Sequence, residues 1–164
     1  MEKGKVHPAK MKPEILGIVR KVHDLFAKKK LTLSTAESCT GGLISHYVTA
    51  LPGASTFFIA GVVAYSADMK KSLLNVPSDL IAHHGVVSEE TARAMAEGIL
   101  SITDSDLSVS STGNLGPDVL EGKEEGLVYL AATRREMTVS KEMSLKGGRE
   151  ENKEAVLLQR MWLC

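Results

Sequence analysis

Apolar residues recur at three-to-four spacing from Ile15 through Leu16, Ile18, Val19, Val22 and Leu25 to Phe26, which predicts a helix with one apolar face. Pro13 suits its first turn, and Lys28-Lys29-Lys30 stand where cations oppose the dipole of a last turn. Leu31-Thr32-Leu33-Ser34-Thr35 reads as a short strand, and a helical run from Leu43 to about Leu51 is stopped by Pro52-Gly53. Phe57 to Tyr65 is almost continuously apolar, which predicts a strand covered on both faces. Two short helices follow, Ala67–Leu74 and Pro77–His83, the second closed by Gly85. Ser88 can cap a helix with the acidic first turn Glu89-Glu90 that runs to about Leu100.

The rest of the chain changes period. Asp106–Thr112 and Gly126–Thr133 read as buried strands on either side of a loop rich in Gly and acids. Met137, Val139, Met143 and Leu145 alternate with polar residues, as in a half-exposed edge strand. The short link at Arg134–Glu136 makes that strand antiparallel to the one before it. Gly147-Gly148 leads into a last helix. Helices alternating with buried strands, plus an antiparallel edge, predict a three-layer α/β/α sandwich with a mixed, mostly parallel sheet.

Composition narrows the class. The 164 residues are 43% hydrophobic and 24% charged, in the range of an ordinary globular domain. Residues 1–12 read as a flexible basic tail and 13–164 as a single domain. Twenty basic and twenty acidic residues balance, which argues against a general nucleic-acid binder. The first thirty residues nonetheless hold nine Lys or Arg against three acids. No apolar run approaches the roughly 18 residues of a membrane span, and the start lacks a signal-peptide core. Cys39 and Cys164 make neither a disulfide framework nor a zinc set, and His83-His84 has no ligand set around it, so neither metal nor cofactor is expected. The expectation is a soluble, cytoplasmic protein. Its apolar end, Met161-Trp162-Leu163-Cys164, predicts packing on the domain or on a second copy, hence a homo-oligomer.

Ligands of open α/β sheets sit where strands end and helices begin. Ala36-Glu37-Ser38-Cys39-Thr40-Gly41-Gly42 has that form, and its small-residue turn suits a phosphate or an oxyanion. The place of Ser38 fits a nucleophile and equally an N-cap, and spacing alone favours the cap. Cys39 competes as a thiol at a helix start, with His46, His83 and His84 as candidate bases, although a small buried apolar role suits it better. Tyr65-Ser66-Ala67-Asp68-Met69-Lys70 is a second strand end and helix start, where a desolvated Lys70 would act as a base toward serine, directly or through the Tyr65 hydroxyl.

Thr35-Ala36-Glu37-Ser38-Cys39-Thr40-Gly41-Gly42-Leu43 closely resembles the signature of the CinA C-terminal-domain family, the nicotinamide-nucleotide amidohydrolases. The likeness continues through Pro52-Gly53-Ala54-Ser55, Gly61–Ser66, Lys70, His84–Ser88, Thr112-Gly113, Gly116-Pro117, Gly126–Tyr129 and Gly148-Arg149-Glu150, from about residue 14 to 164. With so few residues ahead of it, the resemblance corresponds to the stand-alone form. It implies deamidation of nicotinamide mononucleotide to nicotinic acid mononucleotide and ammonia, without a metal. Ser38 would be the nucleophile, with Lys70 and Tyr65 as base. Glu37, Cys39, Thr40, Gly41, Gly42, Thr112, Gly113 and Arg149 would hold the substrate, a pyridine mononucleotide, with oxyanion donors sought around Thr40–Gly42. The chain departs from the family at Asn114–Glu125, where a Gly-rich stretch has become Asp118-Val119-Leu120 followed by further acids, and at Lys153, where Arg is usual. An acidic loop is a poor neighbour for a phosphate. The alternatives are the same acyl chemistry on another small amide, or a non-catalytic nucleotide-binding module of the same fold.

Overall fold

A computed structural model of the protein describes residues 11–159. The apolar end 161–164, and with it the basis for expecting an oligomer, lies outside these residues, as does most of the basic tail. In chain order the elements are α1 (Pro13–Lys29), β1 (Leu33–Glu37), α2 (Leu43–Thr49), a 3-10 turn (Ala54–Thr56), β2 (Phe58–Val63), α3 (Ala67–Leu74), α4 (Ser78–His84), α5 (Glu89–Thr103), β3 (Leu107–Gly113), β4 (Leu127–Arg134), β5 (Met137–Ser144) and α6 (Arg149–Leu157). Among the described residues no helix is long and apolar enough to cross a membrane.

The strands form one mixed sheet in the order β2-β1-β3-β4-β5. β1 runs parallel to both β2 and β3, and the antiparallel β4–β5 pair closes one side as the short link predicts. β4 is also antiparallel to β3, because the 114–126 connection contains no crossover helix and must return the chain beside the strand it left. Helices cover both faces. α1, α2 and α6 bury Ile15, Val19, Phe26, Ile44 and Val156 on one side; on the other, α3, the link after it and α5 bury Leu74, Val76, Met95 and Ile99, with Leu80 and Ile81 of α4 packed partly buried against them.

Alternation along β3 fits both layers. Leu107 and Val109 enter the first core, while Ser108 and Ser110 donate hydroxyl bonds to the carbonyls of Ala96 and Ala92 on α5. Small residues on both partners let α5 lie close to the sheet.

Two expectations require correction. β2 is an edge strand whose burial alternates, leaving Ile59 and Val63 about half exposed (51% and 46%). An apolar run cannot by itself distinguish a doubly covered strand from an edge, because burial depends on which neighbours arrive from elsewhere in the chain. β1 begins at Leu33 and extends to Glu37, so the strand delivers the candidate site residues directly to its C-terminal end.

Candidate active site

The C-terminal ends of β1, β2 and β3 open into a cleft of about 390 Å³. Ser38, Cys39, Tyr65, Lys70, Thr112, Gly113 and Arg149 all line it. Glu37, Thr40, Gly41 and Gly42 do not.

Glu37 has a different task. Its carboxylate is fully buried and accepts from the Gly42 N–H (3.0 Å), the Ile44 N–H (3.1 Å), the Ser45 N–H (2.8 Å), and the hydroxyls of Thr40 and Ser45 (2.6 Å each). It therefore fills the N-terminus of α2 as a remote cap, so Ser38 is free of that role. Thr40 gives its only hydroxyl proton to Glu37, so Ser111, 2.7 Å away, must donate to Thr40. The Gly41 N–H donates to the Ser38 carbonyl at 3.0 Å. With the N–H groups of both glycines engaged in the turn, neither is available to an oxyanion. The N–H of Cys39, the residue after Ser38, makes no hydrogen bond to another described residue.

Ser38 follows the last residue of β1, anchored by its N–H to the Ser111 carbonyl (2.9 Å). Its hydroxyl lies 2.8 Å from Lys70 Nζ, across 32 residues of sequence. Lys70 sits on the first turn of α3, held there by the Ser66 cap, and is only 1% exposed. Its Nζ also donates to the carbonyls of Ala64 (2.9 Å) and Tyr65 (3.1 Å). Burial lowers the Lys70 pKa from 10.5 to about 8, with the Glu121 carboxylate opposing the shift. A neutral amine keeps two N–H groups and one lone pair. Because carbonyls can only accept, both N–H groups go to Ala64 and Tyr65 and the lone pair is left facing the Ser38 hydroxyl.

The hydroxyl of Tyr65 is elsewhere. Tyr65 is 60% exposed and its hydroxyl accepts from Arg149 Nη2 at 2.8 Å, so this residue meets Lys70 through its backbone carbonyl. Arg149 Nη1 donates to the Gly116 carbonyl at 2.8 Å, tying α6 to the 114–126 loop across the cleft. Thr112 donates to the Val86 carbonyl (2.7 Å). Cys39 is buried in the apolar core, which pushes its thiol up to about 12 and makes it a poor nucleophile. His83 bonds the Asp79 carbonyl and His84 faces Glu90, neither in the cleft, and Lys153 pairs with Glu150.

Sequence reasoning missed how the acidic loop is held. Asp118 lines the cleft, but Glu121 turns to the backbone of residues 86–87, and Asn114 organises the loop by accepting from the Leu120 N–H and donating to the Leu120 carbonyl. A carboxylate three positions after Asp118 carried no periodicity that could have separated it from its neighbours.

Fold and site together define an α/β protein with a buried serine–lysine pair at the strand ends of a mixed sheet. The family model for the CinA C-terminal domain matches residues 16–163, and the chain belongs to that family. It is 46% identical over 130 residues to a protein of Desulforudis audaxviator named as competence-damage inducible, covering 79% of this chain and 32% of that one. A relative with the same description in Halalkalibacterium halodurans is 40% identical over 141 residues, covering 85% and 34% respectively. The chain thus spans about a third of the length of these curated relatives. Among solved structures, the competence/damage inducible protein CihA of Agrobacterium tumefaciens superposes with a TM-score of 0.87 at 34% identity, covering 90% of this chain and 92% of that one. The competence damage-inducible protein A of Klebsiella pneumoniae gives 0.85 at 30% identity, covering 87% and 89%.

Proposed function

We propose that the protein is an amidohydrolase that converts the carboxamide of nicotinamide mononucleotide to the acid, with Ser38 as nucleophile and Lys70 as general base. The observation that carries this reading is the 2.8 Å contact between Ser38 Oγ and a Lys70 amine whose other hydrogens are engaged by two carbonyls. A lysine near pKa 8 is neutral in about a tenth of molecules at pH 7, and the acceptors fix where its lone pair points.

In the first half-reaction Ser38 Oγ attacks the amide carbon as its proton passes to Lys70 Nζ. The resulting ammonium hands that proton to the departing –NH2, so the C–N bond breaks and neutral ammonia leaves an ester on Ser38. Water then attacks the ester, Lys70 takes its proton, and the same proton returns to Ser38 Oγ as the acid departs. The Cys39 N–H is the nearest oxyanion donor in sequence to the nucleophile. Tyr65 and Arg149 shape the opposite wall, and Tyr65 acts on the base through its carbonyl.

The test is ammonia release from nicotinamide mononucleotide by the wild type, Ser38→Ala and Lys70→Met. Release that both substitutions abolish supports the assignment, whereas release that survives Ser38→Ala overturns it. Asp118 in the cleft favours one second reading, the same chemistry on a small amide without a phosphate. A panel of such amides assayed beside the nucleotide distinguishes the two.

A further inference from the structure

Three groups converge beside the cleft on a single carboxylate. The Val86 N–H donates to Glu121 Oε1 at 2.7 Å, the Val87 N–H donates to Oε2 at 3.2 Å, and Lys123 Nζ stands 3.4 Å from Oε2. Lys123 is itself oriented by donating to the carbonyls of His84 (2.8 Å) and Val87, so its third hydrogen is directed to the carboxylate. Gly85 completes the seat. A Cβ there would lie 2.2 Å from a Glu121 oxygen, and its φ of +84° suits glycine. Two successive backbone N–H groups beside an ammonium form a concavity that binds oxyanions in general. Val86, Val87 and Leu120 line the catalytic cleft, so the seat adjoins it. The Glu121 and Lys123 side chains remain about 30% exposed, within reach of a dissolved anion.

We propose that Val86, Val87 and Lys123 form an oxyanion subsite next to the catalytic cleft, matched to a phosphate or phosphomonoester dianion, and that Glu121 occupies it as a built-in competitor. The subsite is separate from the Ser38–Lys70 pair. Its use by substrate rests on the amidohydrolase reading, but its existence does not. With Glu121 in place the chain gains little from a phosphate on its amide at this position. Removing the carboxylate frees two N–H groups and an ammonium for that phosphate.

Glu121 has a φ of +57°, which glycine adopts without strain, so Glu121→Gly empties the seat and leaves the loop backbone in a favoured conformation. Thermal unfolding of full-length wild type and Glu121→Gly is followed against inorganic phosphate at constant ionic strength. The expected result is a concentration-dependent rise in Tm for the variant and none for the wild type. Equal shifts in both, or none in the variant, overturn the proposal. Glu121→Ser, which empties the seat at the backbone conformation Glu121 already bears, gives the same readout should the glycine variant fail to fold. The Glu121→Gly/Lys123→Met double variant must lose the phosphate effect, and its retention would mean that phosphate binds elsewhere.

A second arm identifies the source of the anion. Glu121→Gly should lower KM for nicotinamide mononucleotide about tenfold and leave that for nicotinamide riboside within about twofold, the scale of charge-assisted hydrogen bonds. A Tm response without that KM change assigns the subsite to a free anion. If neither protein hydrolyses either amide, the amidohydrolase reading fails, and the phosphate titration still decides on the subsite.

Discussion

Glu37→Gln separates two roles for a residue that the signature motif presents as part of the substrate site. In the structure its carboxylate accepts five hydrogen bonds, three at Oε2 and two at Oε1, all from the turn and the first residues of α2. A glutamine supplies one carbonyl and one NH2 group. With the carbonyl at the three-donor side, the NH2 faces the Ser45 N–H, a donor with no acceptor left. An orphaned buried N–H costs about 1–3 kcal/mol. Loss of the negative charge at the N-terminus of α2 adds about 0.3–1 kcal/mol. The sum, about 1–4 kcal/mol, corresponds to a fall in Tm of about 3–16 °C for a domain of this size. Calorimetry with steady-state kinetics on the same samples checks it. The expected pattern is a lower Tm with kcat reduced through the displaced Ser38 and little change in KM. A variant with the wild-type Tm and a raised KM would refute the capping argument and return Glu37 to the substrate.

Other outcomes follow from the same geometry. Activity should rise with pH through the Lys70 pKa near 8 and then level off, and a profile flat from pH 6 to 9 would contradict the lone-pair argument. Because the folded pKa lies below the unfolded 10.5, the folded state binds fewer protons between about 8 and 10.5. Stability therefore carries a penalty of about 3 kcal/mol below pH 8 that is relieved as pH rises through this window. Lys70→Met removes the penalty together with three hydrogen bonds and leaves the Ala64 and Tyr65 carbonyls without this donor, so at pH 7 it should be inactive with a stability within about 2 kcal/mol of wild type in urea titration. The rise in stability between about pH 8 and 10.5 should vanish in the variant, and its survival would count against the burial argument. Cys39→Ala should keep activity, since a thiol near pKa 12 is not the nucleophile, and iodoacetamide should not inactivate the wild type. At Gly98 a Cβ would meet the Leu74 carbonyl at 1.9 Å, so Gly98→Ala must push α3 from α5, costing about 2–3 kcal/mol and lowering kcat through displaced Lys70.

Local chemistry made much of this protein legible in its sequence. The period of Ile15–Phe26, the Ser88 cap and Gly85 mark helices because they act within one or two turns of themselves, and α3 falls at Ala67–Leu74 as read. The resemblance carried by the motif around Ser38 and the spacing from Tyr65 to Lys70 pointed to Ser38 and Lys70, the two side chains that the structure brings within 2.8 Å of each other. What tertiary structure alone decided is which donor meets which acceptor. Whether Ser38 caps α2 depended on Glu37 reaching that helix, and whether Tyr65 presents its hydroxyl or its carbonyl to Lys70 depended on Arg149, 84 residues away. That Ile59 and Val63 stay half exposed depended on β2 standing at the edge of the sheet that the described residues form. The seat of Glu121 depended on a turn 35 residues upstream. Hydrogen bonds are satisfied by proximity in space, and a side chain with several possible partners takes the ones that packing brings within 3 Å.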